Sequence, residues 1–126
     1  MVNSTDLGLR TYDSGLRTYD YLNHLNMDIT VQELHQRLAA KENFIFIDVR
    51  EPHEYEEFNL GARLIPLGTL GQHLAELSEH KDEEIVVHCR SGARSGQAQM
   101  LLQSMGFSNV RNLLGGVLAW KVEYGS

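Results

Sequence analysis

Two short apolar runs, Phe44-Ile45-Phe46-Ile47 and Ile85-Val86-Val87, constrain this chain most. Neither shows the polar alternation of a strand wetted on one face, so each reads as a strand covered on both sides. Segments of helical spacing lie around them. Thr30 and Glu33 form a capping pattern ahead of Val31, Leu34 and Leu38. Leu70, Leu74 and Leu77 mark a second helix, and Ala98, Leu101, Leu102 and Met105 a third, with Gly106 as its stop. Helices alternating with short apolar strands predict an α/β fold. The expected architecture is a single domain with a central, mainly parallel sheet of about five short strands and helices on both faces.

Strands are expected over 44–47, 64–66, 84–88 and 110–113. Pro52 opens a short helix reaching about residue 58, and Arg50 and Glu54 are expected to pair across that turn. The helix around Leu70–Leu77 should run for about nine residues, and the one after the second apolar run from about 96 to 105. Gly115-Gly116 turns the chain into a final helix whose Trp120 packs into the core. The domain spans 27–126. Residues 1–26 stand apart: Gly8-Leu9-Arg10-Thr11-Tyr12-Asp13 recurs as Gly15-Leu16-Arg17-Thr18-Tyr19-Asp20. Two copies are too few for a solenoid, so a flexible extension is expected, with Met27 as an alternative start.

The second apolar run leads into the only cysteine, Cys89, followed by Arg90-Ser91-Gly92-Ala93-Arg94-Ser95. A lone cysteine ending such a strand is by default a small core residue. The loop behind it, too small and too charged for packing, shifts the reading. A strand, a tight loop and a helix N-terminus build an anion cradle from backbone N–H groups and the helix dipole. Gly92 permits the turn, and Arg90 and Arg94 supply cations for a thiolate or an anionic substrate. Cys89 is therefore expected to be a reactive thiolate.

The segment 88–95, His88-Cys89-Arg90-Ser91-Gly92-Ala93-Arg94-Ser95, resembles the active-site loop of the rhodanese-type sulfurtransferases. Three other places match in order. They are Asp48-Val49-Arg50-Glu51 with Glu54-Tyr55, Asn59-Leu60-Gly61-Ala62 before Ile65-Pro66, and Leu114-Gly115-Gly116-Val117-Leu118-Ala119-Trp120. The resemblance covers about residues 27–124; one departure is Asn59, where the family often carries His, and only a local packing change is expected from it. The resemblance implies that Cys89 carries sulfur and that residues 89–94 form a six-residue loop. Cys89 would take a sulfane sulfur from thiosulfate or another persulfide donor and pass it to cyanide, a thiol or a persulfide-exchanging protein. Backbone amides from Arg90 to Ser95 would stabilise the anions, with Arg90 and Arg94 on the sulfonate. Asp48, Arg50 and Glu54 would support the site. The covalent persulfide requires no cofactor.

Two other readings compete. Cysteine phosphatases use a similar loop, but theirs is one residue longer to admit a tetrahedral phosphate. Only Arg90, Ser91, Gly92 and Ala93 separate Cys89 from Arg94, which suits a single sulfur atom. A non-catalytic binding or sulfur-carrier module is the other; members in that role often lack the cysteine, which this chain keeps.

The net charge of −6 argues against a nucleic-acid or membrane surface. Its distribution favours small anions: no acid lies between Ile85 and Val122, while Arg90, Arg94, Arg111 and Lys121 do. The histidines His24, His35, His53, His73, His80 and His88 show no metal-site spacing, so no metal is expected. His88 adjoins Cys89, yet strand neighbours point to opposite faces, and a packing role is expected for it. A single cysteine and the absence of a basic, then apolar, N-terminal segment lead to an expected cytoplasmic location.

Overall fold

The computed structural model describes residues 28–126; the repeat-bearing extension and the boundary at Met27 lie outside the described residues. Strands β1 (Ile45–Asp48), β2 (Arg63–Leu64), β3 (Ile85–His88) and β4 (Val110–Asn112) form one sheet in the order β2-β1-β3-β4. Every pairing is parallel, with Asp48 beside His88 and Val87 beside Asn112. The sheet thus has four strands rather than about five. Ile29 adds a single parallel bridge to Leu113, too short to count as a strand.

Period-two alternation divides the core between the two faces. Ile47, Val49, Ile85, Val87 and Cys89 join Ala98, Leu102 and Phe107 in one cluster. Val86 joins Ile29, Val31, Leu34 and Leu113 in the other, with Phe46 and Trp120 packed against it. Helix α1 (Val31–Ala39) follows Thr30, whose hydroxyl accepts the Glu33 N–H at 3.1 Å. The Glu33 carboxylate does not complete a capping box. It faces Arg111, which also meets Glu84, and Glu84 in turn meets Arg37.

The remaining described helices are α2 (Pro52–Glu57), α3 (Leu74–Leu77), α4 (Ala93–Ser104) and α5 (Gly116–Tyr124). The expected single helix around Leu70–Leu77 is instead a 3₁₀ segment (Leu67–His73), the single-turn α3 and another 3₁₀ turn (Ser78–His80). Gly68 and Gly71 weaken α-helix formation there, and the tighter winding suits short connectors. In α4, Ala98 and Leu102 are buried, but Met105 is 46% exposed because the helix has already ended beside it. The chain passes from β1 outward to β2, then crosses to β3 on β1's other side. Strand order therefore reverses between β1 and β3, and the crevice at their C-terminal ends is where such sheets place their sites.

Candidate active site

Strand β3 delivers its last residue and the next to opposite faces. Cys89 turns toward α4 and is 1% exposed. His88 turns away from it, fully buried, with its ring 5.3 Å from that of Phe46, as the alternation predicts. Its Nε2 has no hydrogen-bond partner among the described residues and lies 3.6 Å from Asp48 Oδ2. Burial holds the imidazole below its ordinary pKa against the attraction of Asp48.

Beyond Cys89 the backbone closes into a small ring. Gly92 sits at φ 108°, a left-handed conformation that side chains with a Cβ resist, and caps α4. The helix was expected from about Gly96 and begins at Ala93, so Ala93, Arg94 and Ser95 are its first turn. First-turn amides have no partner within their own helix, and here the sulfur supplies one. Gly92 N–H donates to Cys89 Sγ at 3.1 Å and Ser95 N–H at 3.4 Å, while Ser95 Oγ lies 3.3 Å away. Burial pushes the thiol's pKa up. Hydrogen bonds from the Ser95 hydroxyl and from the amides of Ser95, Gly92 and Ser91 outweigh it, and the thiol lies below its ordinary value. The arrangement is chemically able to hold a sulfur anion.

The glycine pair does more than turn the chain. Val117 N–H donates to the Cys89 carbonyl and Leu118 N–H to the Arg90 carbonyl, each at 3.0 Å. The start of α5 thereby engages the loop's carbonyls while the amides face the sulfur. Gly116, at φ 56°, makes that approach possible: a Cβ there would lie 2.5 Å from the Cys89 oxygen and 2.6 Å from that of Arg90.

Asp48, Arg50 and Glu54 do converge near this loop, but not as expected. Arg50, 4% exposed, pairs with fully buried Asp48 through Nη2–Oδ2 at 2.8 Å, and its Nη2 also donates to the Phe58 carbonyl at 2.7 Å. Glu54 pairs not with Arg50 but with Arg94, Nη1–Oε1 at 2.8 Å and Nη2–Oε2 at 2.9 Å. Arg50 stays at the strand end because Asp48, two residues back, receives its guanidinium and its own N–H together. One turn into α2, Glu54 instead accepts the Glu51 N–H and faces α4. The Arg94 guanidinium brings the Glu54 carboxyl down to about 2. Arg90 and Ser91 are exposed, and Arg90 has no ion pair among the described residues. Asn59 fits its turn locally, accepting the Gly61 N–H and donating to the Tyr55 carbonyl.

Asn112, at the end of β4, was not singled out from the sequence. Its Nδ2 donates to the Gly92 carbonyl at 3.2 Å and its Oδ1 accepts from Ser95 Oγ at 2.6 Å. No distinct sequence signal marks it, because it closes a strand, Val110–Asn112, that already carries the polar Arg111.

A parallel α/β sheet with a cysteine ringed by backbone amides at its switch point defines a class, and sequence comparison assigns it. The chain belongs to the rhodanese-like domain family, whose profile matches residues 30–123. It is 37% identical over 94 residues to a sulfurtransferase of Allochromatium vinosum, covering 74% of this chain and 86% of that protein. It is 37% identical over 68 residues to the Escherichia coli thiosulfate sulfurtransferase PspE, covering 53% of this chain and 65% of that protein. Longer relatives exist: the chain spans 24% of each of two similar Mycobacterium tuberculosis proteins. Among solved structures, a human single-domain sulfurtransferase superposes with a TM-score of 0.66 at 26% identity, covering 79% of this chain and 97% of that one. No helix among the described residues is long and apolar enough to cross a membrane.

Proposed function

We propose that the protein is a sulfurtransferase that carries sulfane sulfur as a persulfide on Cys89, from thiosulfate or another persulfide donor to a thiol or cyanide. The observation carrying this reading is the set of polar groups gathered on one buried sulfur: Gly92 N–H and Ser95 N–H donate to Sγ, and the Ser95 hydroxyl lies beside it, all within 3.4 Å. The sulfurtransferase relatives support the same class.

The Cys89 thiolate attacks the outer sulfur of thiosulfate. A new S–S bond forms, the old one breaks, and its electron pair leaves with sulfite. The acceptor then attacks the outer sulfur of the persulfide, and the electron pair of that bond returns to Cys89 as thiolate. Covalent catalysis of this kind splits the transfer into two steps and gives ping-pong kinetics. The amides of the ring stabilise the sulfur anion in each step. No cofactor enters. Arg90, exposed beside Cys89 in the chain, receives the sulfonate end of the donor. Arg94 stays paired with Glu54 and braces the ring, adding its positive field to the Cys89 thiolate.

Sulfite and thiocyanate release from thiosulfate and cyanide tests the reading. Steady-state turnover with parallel double-reciprocal lines is expected, with none for Cys89→Ser. One equivalent of sulfite without turnover would indicate a carrier that needs a protein acceptor. No sulfite from thiosulfate, together with no sulfur transferred to Cys89 from polysulfide or persulfide donors, would overturn the proposal.

A further inference from the structure

We propose that Asn112 is a positioning residue for the Cys89 sulfur: it holds the Ser95 hydroxyl hydrogen while the sulfur is a neutral thiol and releases it when the sulfur is charged. Ser95 has one hydroxyl hydrogen and two acceptors within reach, Asn112 Oδ1 at 2.6 Å and Cys89 Sγ at 3.3 Å. The amide orientation is set by its other contact. Nδ2 donates to the Gly92 carbonyl at 3.2 Å, and turned over, two oxygens would face each other there. Oδ1 therefore faces Ser95, and so short a contact requires the hydroxyl hydrogen between the two oxygens.

With that hydrogen on Asn112, the sulfur faces the lone pairs of Ser95 Oγ. A thiol satisfies this by donating its own S–H, and the chain runs from Cys89 through Ser95 to Asn112. A thiolate does not. Once its proton has gone to bulk water, the sulfur anion and the Ser95 lone pairs face each other with no hydrogen between them. The hydroxyl therefore turns to Sγ as a further donor beside the two amides and leaves Oδ1 empty. Ionisation exchanges a neutral hydrogen bond for a charge-assisted one, and the gain is smaller than Ser95 would give with no competing acceptor. Asn112 thus restrains the resting thiol and confines Ser95's donation to charged sulfur. The purpose of such restraint rests on the sulfurtransferase reading; the geometry does not.

The other charged or titratable groups around the ring are His88, Arg90 and Arg94 of its own segment, Asp48 and Arg50 at the end of β1, and Glu54 of α2. Lys121 of α5 lies over the Phe58 ring. The variants below leave all of them unchanged.

The test follows Cys89 ionisation in the full chain through the pH dependence of iodoacetamide alkylation, which a single cysteine makes unambiguous. Asn112→Ala is paired with the near-isosteric Asn112→Leu, in case the smaller side chain prevents folding. In either, the alkylation midpoint is expected to fall by about one pH unit. Ser95→Ala is expected to raise it, and adding Asn112→Ala to Ser95→Ala to change nothing further. If Asn112 only braces Gly92, its loss loosens the ring, and the midpoint rises in both backgrounds; that result, or no shift, overturns the proposal. Sulfur uptake by the natural chain, measured in parallel, separates the two claims. If it takes up no sulfur, the functional reading fails while the titration still decides the role of Asn112.

Discussion

Arg94 and Glu54, forty residues apart in the chain, meet in a two-pronged ion pair that ties the first turn of α4 to α2. The pair occupies an arginine that the loop motif alone assigns to the substrate. It also leaves Arg90 as the loop guanidinium without an ion pair among the described residues.

Glu54 ionises well below its ordinary value of 4.5, at about 2. Its stabilisation is therefore complete above pH 4.5 and is lost as pH falls toward 2. With Arg94 a third exposed, solvent screening keeps the pair near 1 kcal/mol, roughly the value of an exposed pair of good geometry. Glu54→Gln should lose about that much in urea unfolding at neutral pH. The two curves should converge in acid, where the natural chain has lost the same interaction.

Arg90 is expected to act on the donor's charge and not on the sulfur. Arg90→Ala should raise KM for thiosulfate roughly tenfold, the worth of a charge-assisted hydrogen bond. Its effect on an uncharged persulfide donor should be small. Steady-state kinetics with both donors check this, and added salt should weaken thiosulfate use in the natural chain more than in the variant.

Gly116→Ala forces a methyl group against the carbonyls of Cys89 and Arg90 at a positive φ. A cost of about 2–4 kcal/mol is expected, with slower alkylation of Cys89 because the ring deforms. Gly61→Ala is the control: its φ is +87°, but no atom lies within 4 Å of the added Cβ. It should cost only about 1 kcal/mol of backbone strain and leave alkylation unchanged.

His88 is buried with its pKa held below the ordinary 6.5. The unfolded chain takes up that proton first, so stability is full above pH 6.5 and declines as pH falls. His88→Phe, which preserves the ring beside Phe46, should flatten this part of the decline. Urea unfolding at neutral pH and near pH 5 measures it.

The sheet was legible because Phe44–Ile47 and Ile85–Val87 carry strands buried on both faces, a signal that survives without tertiary information. The Cys89 loop was legible because six small or charged residues directly follow a strand. What escaped depends on contacts between distant segments. The Arg50–Glu54 pairing failed because Asp48 and Arg94 compete for those side chains from the strand end and from α4. The α4 start moved to Ala93 because sulfur substitutes for its missing amide acceptors, which residue propensity does not register. Asn112 was invisible for the same reason: its meaning lies in reaching Gly92 and Ser95 across the strand order.

The most direct measurement of the central claim is the intact mass of the protein after incubation with thiosulfate, for the natural chain and for Cys89→Ser. The account predicts a gain of one sulfur atom in the natural chain, absent in the serine variant and discharged by cyanide. An unchanged mass with thiosulfate, polysulfide and low-molecular-weight persulfide donors alike, or a gain that persists in Cys89→Ser, would contradict it.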